Sequence, residues 1–177
     1  MSFPKPMHTH ANALARRSAL GQGLGLVGWL VVTFVAAACG AIASIAAPAF
    51  YAQLARPSWA PPAGVFGPVW STLYLLMAVA AWLVWRERGR RMRGVALGLY
   101  VAQLVVNALW SWLFFAWHDG ALAFADVVVL LALIVLTLSA FARVSVLAGI
   151  LLLPYLAWVA FATALTWAVW RANPALL

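Results

Sequence analysis

Five stretches of this chain, residues 24–47, 65–85, 95–117, 121–141 and 146–170, are apolar almost throughout. Each is about as long as the ~20 residues a helix needs to cross a ~30 Å hydrocarbon layer. A bilayer offers no water to backbone N–H and C=O groups, so a spanning segment must satisfy them within itself or close into a barrel. The apolar residues here follow a helical period and do not alternate, which excludes a barrel and predicts an all-α bundle of five transmembrane helices. The first run follows basic residues as a signal peptide would, but it exceeds the length of a signal core and further spans follow it.

Composition agrees. Of the 177 residues 67% are hydrophobic and 8% charged, against about 25% charged in soluble domains. The net charge of +8 does not indicate a nucleic-acid partner, because the basic residues cluster between spans. Lys5, Arg16 and Arg17, then Arg86, Arg88, Arg90, Arg91 and Arg93, then Arg143 fall on one side. Only Arg56 and Arg171 fall on the other. Positive loops stay cytoplasmic, so the N-terminus is expected inside and the C-terminus outside. The organisation expected is a flexible basic tail over 1–20, a five-helix domain over 21–173, and an outer-side proline-rich loop over 48–64. An odd number of spans argues against two inverted halves of the transporter kind.

Polar residues within spans carry the functional reading, since leaving one unpaired in lipid is costly. Gln103, Asn107, Trp110, Ser111 and Phe114 share one face of the third span. This stripe either contacts a ligand or glues helices together. Tyr155, Trp158 or Val159, Ala162 and Thr166 share a face of the fifth span, with Pro154 predicting a mid-helix bend. Phe66, Trp70 and Tyr74 make a similar stripe in the second. Asp126 is expected to make a structural hydrogen bond, and Cys39 to be a small buried hydrophobe. Gly94, Gly98 and Ala102 form a strip suited to helix packing within or between subunits. Gly21, Gly25, Gly28 and Gly40 offer similar close approach in the first span. Catalytic constellations are lacking: there is no Ser–His–acid set, carboxylate pair, glycine-rich phosphate loop or metal-ligand cluster, and no cofactor is expected. His8 and His10 lie in the tail and suit only adventitious metal.

The loop Pro57, Trp59, Pro61 and Pro62, leading to Phe66, Trp70 and Tyr74, opens a longer pattern. It continues through Gln103, Asn107, Trp110, Ser111, Phe114 and Phe115, then Ala125-Asp126, then Pro154, Tyr155, Trp158, Phe161 and Trp170–Asn173. These blocks, over residues 27–173 and with eleven tryptophans in the chain, resemble the translocator protein family, also called the tryptophan-rich sensory protein or peripheral-type benzodiazepine receptor family. The resemblance implies a bacterial membrane protein, often a homodimer, that binds porphyrins such as protoporphyrin IX, sterols or drug-like ligands inside each bundle. It implies a pocket built from Phe66, Trp70, Tyr74, Gln103, Asn107, Trp110, Trp158 and Ala162, and a dimer seam at Gly94, Gly98 and Ala102. It also raises light- or oxygen-dependent porphyrin breakdown, which would involve Trp158, and transport of tetrapyrroles or sterols. Two departures stand out. Many family members have Leu-Asn where this chain has Leu165-Thr166, and Trp167 replaces the tyrosine of the animal sterol-recognition pattern.

Overall fold

The computed structural model describes the backbone of residues 8–177 and the side chains from residue 19 onward. The order is α1 (His8–Ala43), α2 (Ala47–Gln53), a 3-10 turn (Ala63–Val65), α3 (Phe66–Arg86), α4 (Arg93–Ser111) continued by a π turn (Trp112–Ala116), α5 (Gly120–Val144), α6 (Val146–Leu151) and α7 (Leu153–Ala172). Five helical spans are long and apolar enough to cross a membrane: Ala19–Ala43, Ala63–Arg86, Arg93–Ala116, Gly120–Val144 and Val146–Ala172. The chain is an integral membrane protein with an all-α, five-span bundle. Its outer face carries the apolar residues a bilayer requires, among them Val31, Val35 and Ile42 on α1 and Val128, Val129, Val135 and Leu136 on α5.

Several expectations shift. The backbone of residues 8–20 is helical, in keeping with an Ala-, Leu- and Arg-rich segment of high helix propensity. What remains of the expected tail, and the His8 and His10 side chains, lie outside the described residues. The proline-rich loop contains α2, with Pro48 in its first turn, where a missing N–H costs least. Arg143 lies in the last turn of α5, where its charge complements the helix dipole. The loop expected there is the single extended residue Ser145, which ends α5 and caps α6 by accepting from the Ala148 N–H at 3.4 Å. Near the bend expected at Pro154 the helix is interrupted for one residue, Leu152, which keeps right-handed helical φ and ψ, and Pro154 occupies the first turn of α7. Cys39 is exposed, because α1 is peripheral: it packs against α3, α4 and the π turn, leaving its other face outward.

Small residues set the closest approaches. A Cβ on Gly149 would lie 2.9 Å from Ala142 Cβ and 3.1 Å from its Cα, so α6 folds back tightly on the end of α5. Gly25 receives the Trp85 ring, and a Cβ on Gly40 would sit 3.1 Å from Ser111 Oγ. Gly21 and Gly28 meet no such neighbour. At the arginine-rich end, Trp82 Nε1 donates to the Gln22 carbonyl at 3.0 Å, while Arg86 and Arg93 lie over the Trp82 and Trp85 rings. Gly89, at φ 85°, supplies the left-handed turn that closes this short loop.

Gly149 approaches backbone as well as side chain, so its neighbour cannot rotate away. Gly149→Val is expected to destabilise the bundle by about 2 kcal/mol, seen as a lowered melting temperature in detergent, while Gly28→Ala, which meets nothing, leaves it unchanged.

Candidate functional site

The third-span stripe turns inward. Gln103 is 1% exposed and Asn107 4%. Two amides buried this deeply need partners, and two tyrosines supply them. Tyr74 of α3 donates its hydroxyl to Asn107 Oδ1 at 2.6 Å. Asn107 Nδ2 donates to the Tyr155 hydroxyl of α7 at 3.2 Å, and Tyr155 donates to Gln103 Oε1 at 2.7 Å. One chain of bonds thus ties α3, α4 and α7. A second tie holds α1. Thr33 Oγ1 donates to the Trp29 carbonyl at 2.7 Å, which leaves the Tyr100 hydroxyl as donor in their 2.6 Å bond.

Above the first chain lies a cavity of about 620 Å³, within the range of small-molecule sites. Phe66, Trp70, Tyr74, Asn107, Trp110, Trp158 and Ala162 all line it. Gln103 does not: it lies one layer deeper, beneath Tyr155, and holds that ring in place. The walls are aromatic. Trp70 stacks on Tyr74 with centroids 5.3 Å apart, Trp110 stacks on Phe114 at 5.2 Å, and Phe66 meets Trp158 edge-on at 5.9 Å. Polar side chains line it from several elements: Ser71 and Tyr74 of α3, Asn107 and Ser111 of α4, and Thr166 of α7. Trp110 Nε1 is buried without a hydrogen-bond partner among the described residues, as are Gln103 Nε2 and Asp126 Oδ2. The structural hydrogen bond expected of Asp126 is therefore not made at Oδ2, because no donor comes within reach. Among the described residues no three of His, Cys, Asp and Glu gather as a metal site.

The cavity also draws on residues the sequence reading did not place in the pocket. Helix α1 contributes Phe34, Ala38 and Ala41, the turn after it Ser44, and the π turn Phe115. The wider π turn, closed by Trp117 N–H to the Trp112 carbonyl at 2.8 Å, carries Phe115 onto the wall beside Phe114. Thr166, at the position of the departure noted above, lines the cavity too.

The loop over 48–64 covers one end of the cavity and is tied at several points. Asn173 Oδ1 accepts from Ala55 N–H at 2.8 Å, and its Nδ2 donates to the carbonyls of Ala55 at 2.9 Å and Val169 at 2.7 Å. Tyr51 donates to the Pro61 carbonyl at 3.1 Å, Arg56 lies over the Tyr51 ring, and Trp59 packs edge-on against Phe161. Phe50 stacks on His118, whose φ of 56° turns the chain into α5. Asp119 then caps α5 by accepting from Leu122 N–H at 2.9 Å.

This order of blocks, wrapped around one cavity, has known counterparts. The profile of the TspO/MBR family matches residues 28–171. The chain belongs to the TspO/MBR family. The human translocator protein is 44% identical over 126 residues, 70% of this chain and 75% of its own length. Protein CrtK of Rhodobacter capsulatus is 40% identical over 149 residues, 81% of this chain and 91% of its own. The tryptophan-rich sensory protein of Cereibacter sphaeroides is 40% identical over 148 residues, with the same coverage. Membership accounts for the five spans and places this chain beside bacterial relatives.

The bond chain sets a stability expectation. Tyr74→Phe and Asn107→Ala should each destabilise the fold, and a double-mutant cycle should return a coupling near ~1 kcal/mol, the scale of interhelical hydrogen bonds in membranes. Purely additive losses in reversible detergent unfolding would mean the Tyr74–Asn107 bond contributes nothing.

Proposed function

We propose that this protein is a membrane receptor or sensor that binds a flat, largely apolar molecule of the porphyrin class within its bundle. The observation that carries this reading is the cavity itself: aromatic faces on several walls, with a few polar side chains set among them. A tetrapyrrole presents a broad apolar face that stacks on Trp158 and Trp70, and acceptor atoms at its rim. The Asn107 amide on the wall suits such acceptors, and Trp110, whose ring lines the cavity, keeps buried an Nε1–H without a partner among the described residues. Gln103 acts here through Tyr155 and does not touch the ligand. Relatives named as translocator and as sensory proteins are consistent with a molecule that is held and then handed on or reported.

The same reading places the arginine-rich loop at 86–93 and the N-terminus in the cytoplasm and the proline-rich loop outside, by the distribution of basic residues. It makes the protein a homodimer through α4. Gly94, Gly98 and Ala102 are exposed, and a Cβ at Gly94 or Gly98 meets nothing within 4 Å in the single chain. A smooth strip of this kind lets two helices approach closely in lipid.

Two measurements test these readings. Protoporphyrin IX should quench tryptophan fluorescence saturably, with one site per chain. Asn107→Ala should raise Kd about tenfold, the equivalent of one lost hydrogen bond to a ligand. Ala162→Trp, which fills the cavity without touching the bond chain, should abolish saturation. Equal binding by wild type and both variants would rule out this pocket. For the dimer, Gly98→Leu should convert the detergent-solubilised protein from dimer to monomer by light scattering without lowering its melting temperature. A wild-type monomer would exclude the seam.

A further inference from the structure

The cavity is not equally sheltered on all sides. On the loop side it is shut by bonded contacts: the two-way pairing of Asn173 with Ala55, Tyr51 to Pro61, and Trp59 on Phe161. Between α1 and α4 it is shut by Gly40 seated against Ser111 and Ala108. Towards the arginine-rich end α1 and α3 are locked by Trp82 on the Gln22 carbonyl and by Trp85 on Gly25. The seam between α1 and α3 differs above the Phe34–Tyr74 ring pair, whose centroids are 6.3 Å apart. There the lining residues Ala38 and Ala41 of α1 and Gly67 and Ser71 of α3 are exposed, and so are Pro48 and Ala63 where the same seam reaches the loop. Phe34 lines the cavity and is 42% exposed. A Cβ on Gly67 would meet nothing within 4 Å, and the Ser71 hydroxyl is turned back onto the Gly67 carbonyl at 2.9 Å. A residue that lines a cavity and also faces outward marks its mouth.

We infer that the cavity opens sideways into the bilayer through this α1–α3 slot, and that what reaches it is material already dissolved in the leaflet on the loop side, with phospholipid acyl chains as its first occupants. Ala38 and Ala41 lie within two turns of the end of α1. At 1.5 Å per residue this is the depth of one leaflet's acyl chains, whose layer is about 15 Å thick. The rim is small and apolar, without a charged side chain, so a hydrocarbon chain enters without stripping water from anything. A charged or water-borne molecule meets instead the bonded loop. The slot needs no opening motion of the loop, and access depends on how closely α1 packs on α3 at this level.

The test does not use porphyrin, so it stands apart from the ligand reading. The full chain is reconstituted in liposomes of phosphatidylcholine carrying a diazirine in mid-acyl chain, irradiated, and mapped by peptide mass spectrometry. Adducts are expected on the cavity-wall peptides containing Tyr74 and Trp158, besides those on outward residues such as Val128 and Val129. In Gly67→Trp, and separately in Ala41→Trp, the wall adducts should be lost while the Val128–Val129 adducts persist, which shows that the variant is folded and membrane-inserted. Wall adducts absent from wild type, or unchanged in both plugged variants, would overturn the sideways mouth. A variant that loses the outer adducts as well is replaced by Ser71→Trp, read in the same way.

Discussion

Everything in this bundle depends on how an amide is kept satisfied where there is no water. Asn107 has both halves of its side chain engaged, with Tyr74 donating to its oxygen and its nitrogen donating to Tyr155. Because the partners come from α3 and α7, satisfying one residue fixes the relative depth and rotation of three helices. Lipid supplies no hydrophobic force between helices, so registry of this kind must come from directional bonds and close packing. Tyr74, held in this way, becomes a wall and stacks on Trp70, while Tyr155 stands behind the wall and meets the Trp70 ring at 6.2 Å. The polar chain is the floor on which the aromatic cavity is built.

The rest of the bundle is held by shape. Among the described residues, α5 is joined to its neighbours by packing: Gly149 against Ala142, Gly120 beneath Trp170, and Phe124 among Trp167 and Trp170. Threonine and serine on this helix return their hydroxyls to their own backbone, as Thr137 does to the Leu133 carbonyl at 2.7 Å. Such residues cross a membrane without requiring a partner helix. The division is physical: directional bonds set the cavity's floor and tie its cover, while small residues and flat rings seal the far side.

Much of this was legible in the sequence, for reasons that are local. A helix must be long and apolar to cross a bilayer, so five spans show as five runs, and i, i+3 spacing puts Asn107 and Trp110 on an inward face. What was not legible lay between elements. Gln103 shares a face with Asn107, but whether it touches the cavity is decided by where Tyr155 stands, on a helix fifty residues away. Ser145 carries no glycine, proline or charge cluster to announce a one-residue turn. The π turn at Trp112–Ala116 has no composition of its own, so Phe115 did not show as a wall residue. The alanines and glycines of α1 read equally well as packing surface, and only the structure shows that Ala38, Gly40 and Ala41 line the cavity, with Gly40 also packed against Ser111.

The places where the bundle departs from full polar satisfaction are informative in the same terms. Among the described residues, Gln22 Oε1 and Arg93 Nε find no partner at the arginine-rich end, where headgroups and water lie close. Gln103 Nε2, Trp110 Nε1 and Asp126 Oδ2 are unpartnered within spans, where an orphaned group is costly. A bundle shaped only for stability would have leucine or phenylalanine at position 110, since either fills space beside Phe114 without a buried donor. An indole there keeps the same stacking but carries a buried N–H that no group among the described residues receives. That N–H lowers stability in the single chain, and it sits on the same helix, within one turn, as the amide that holds the floor together.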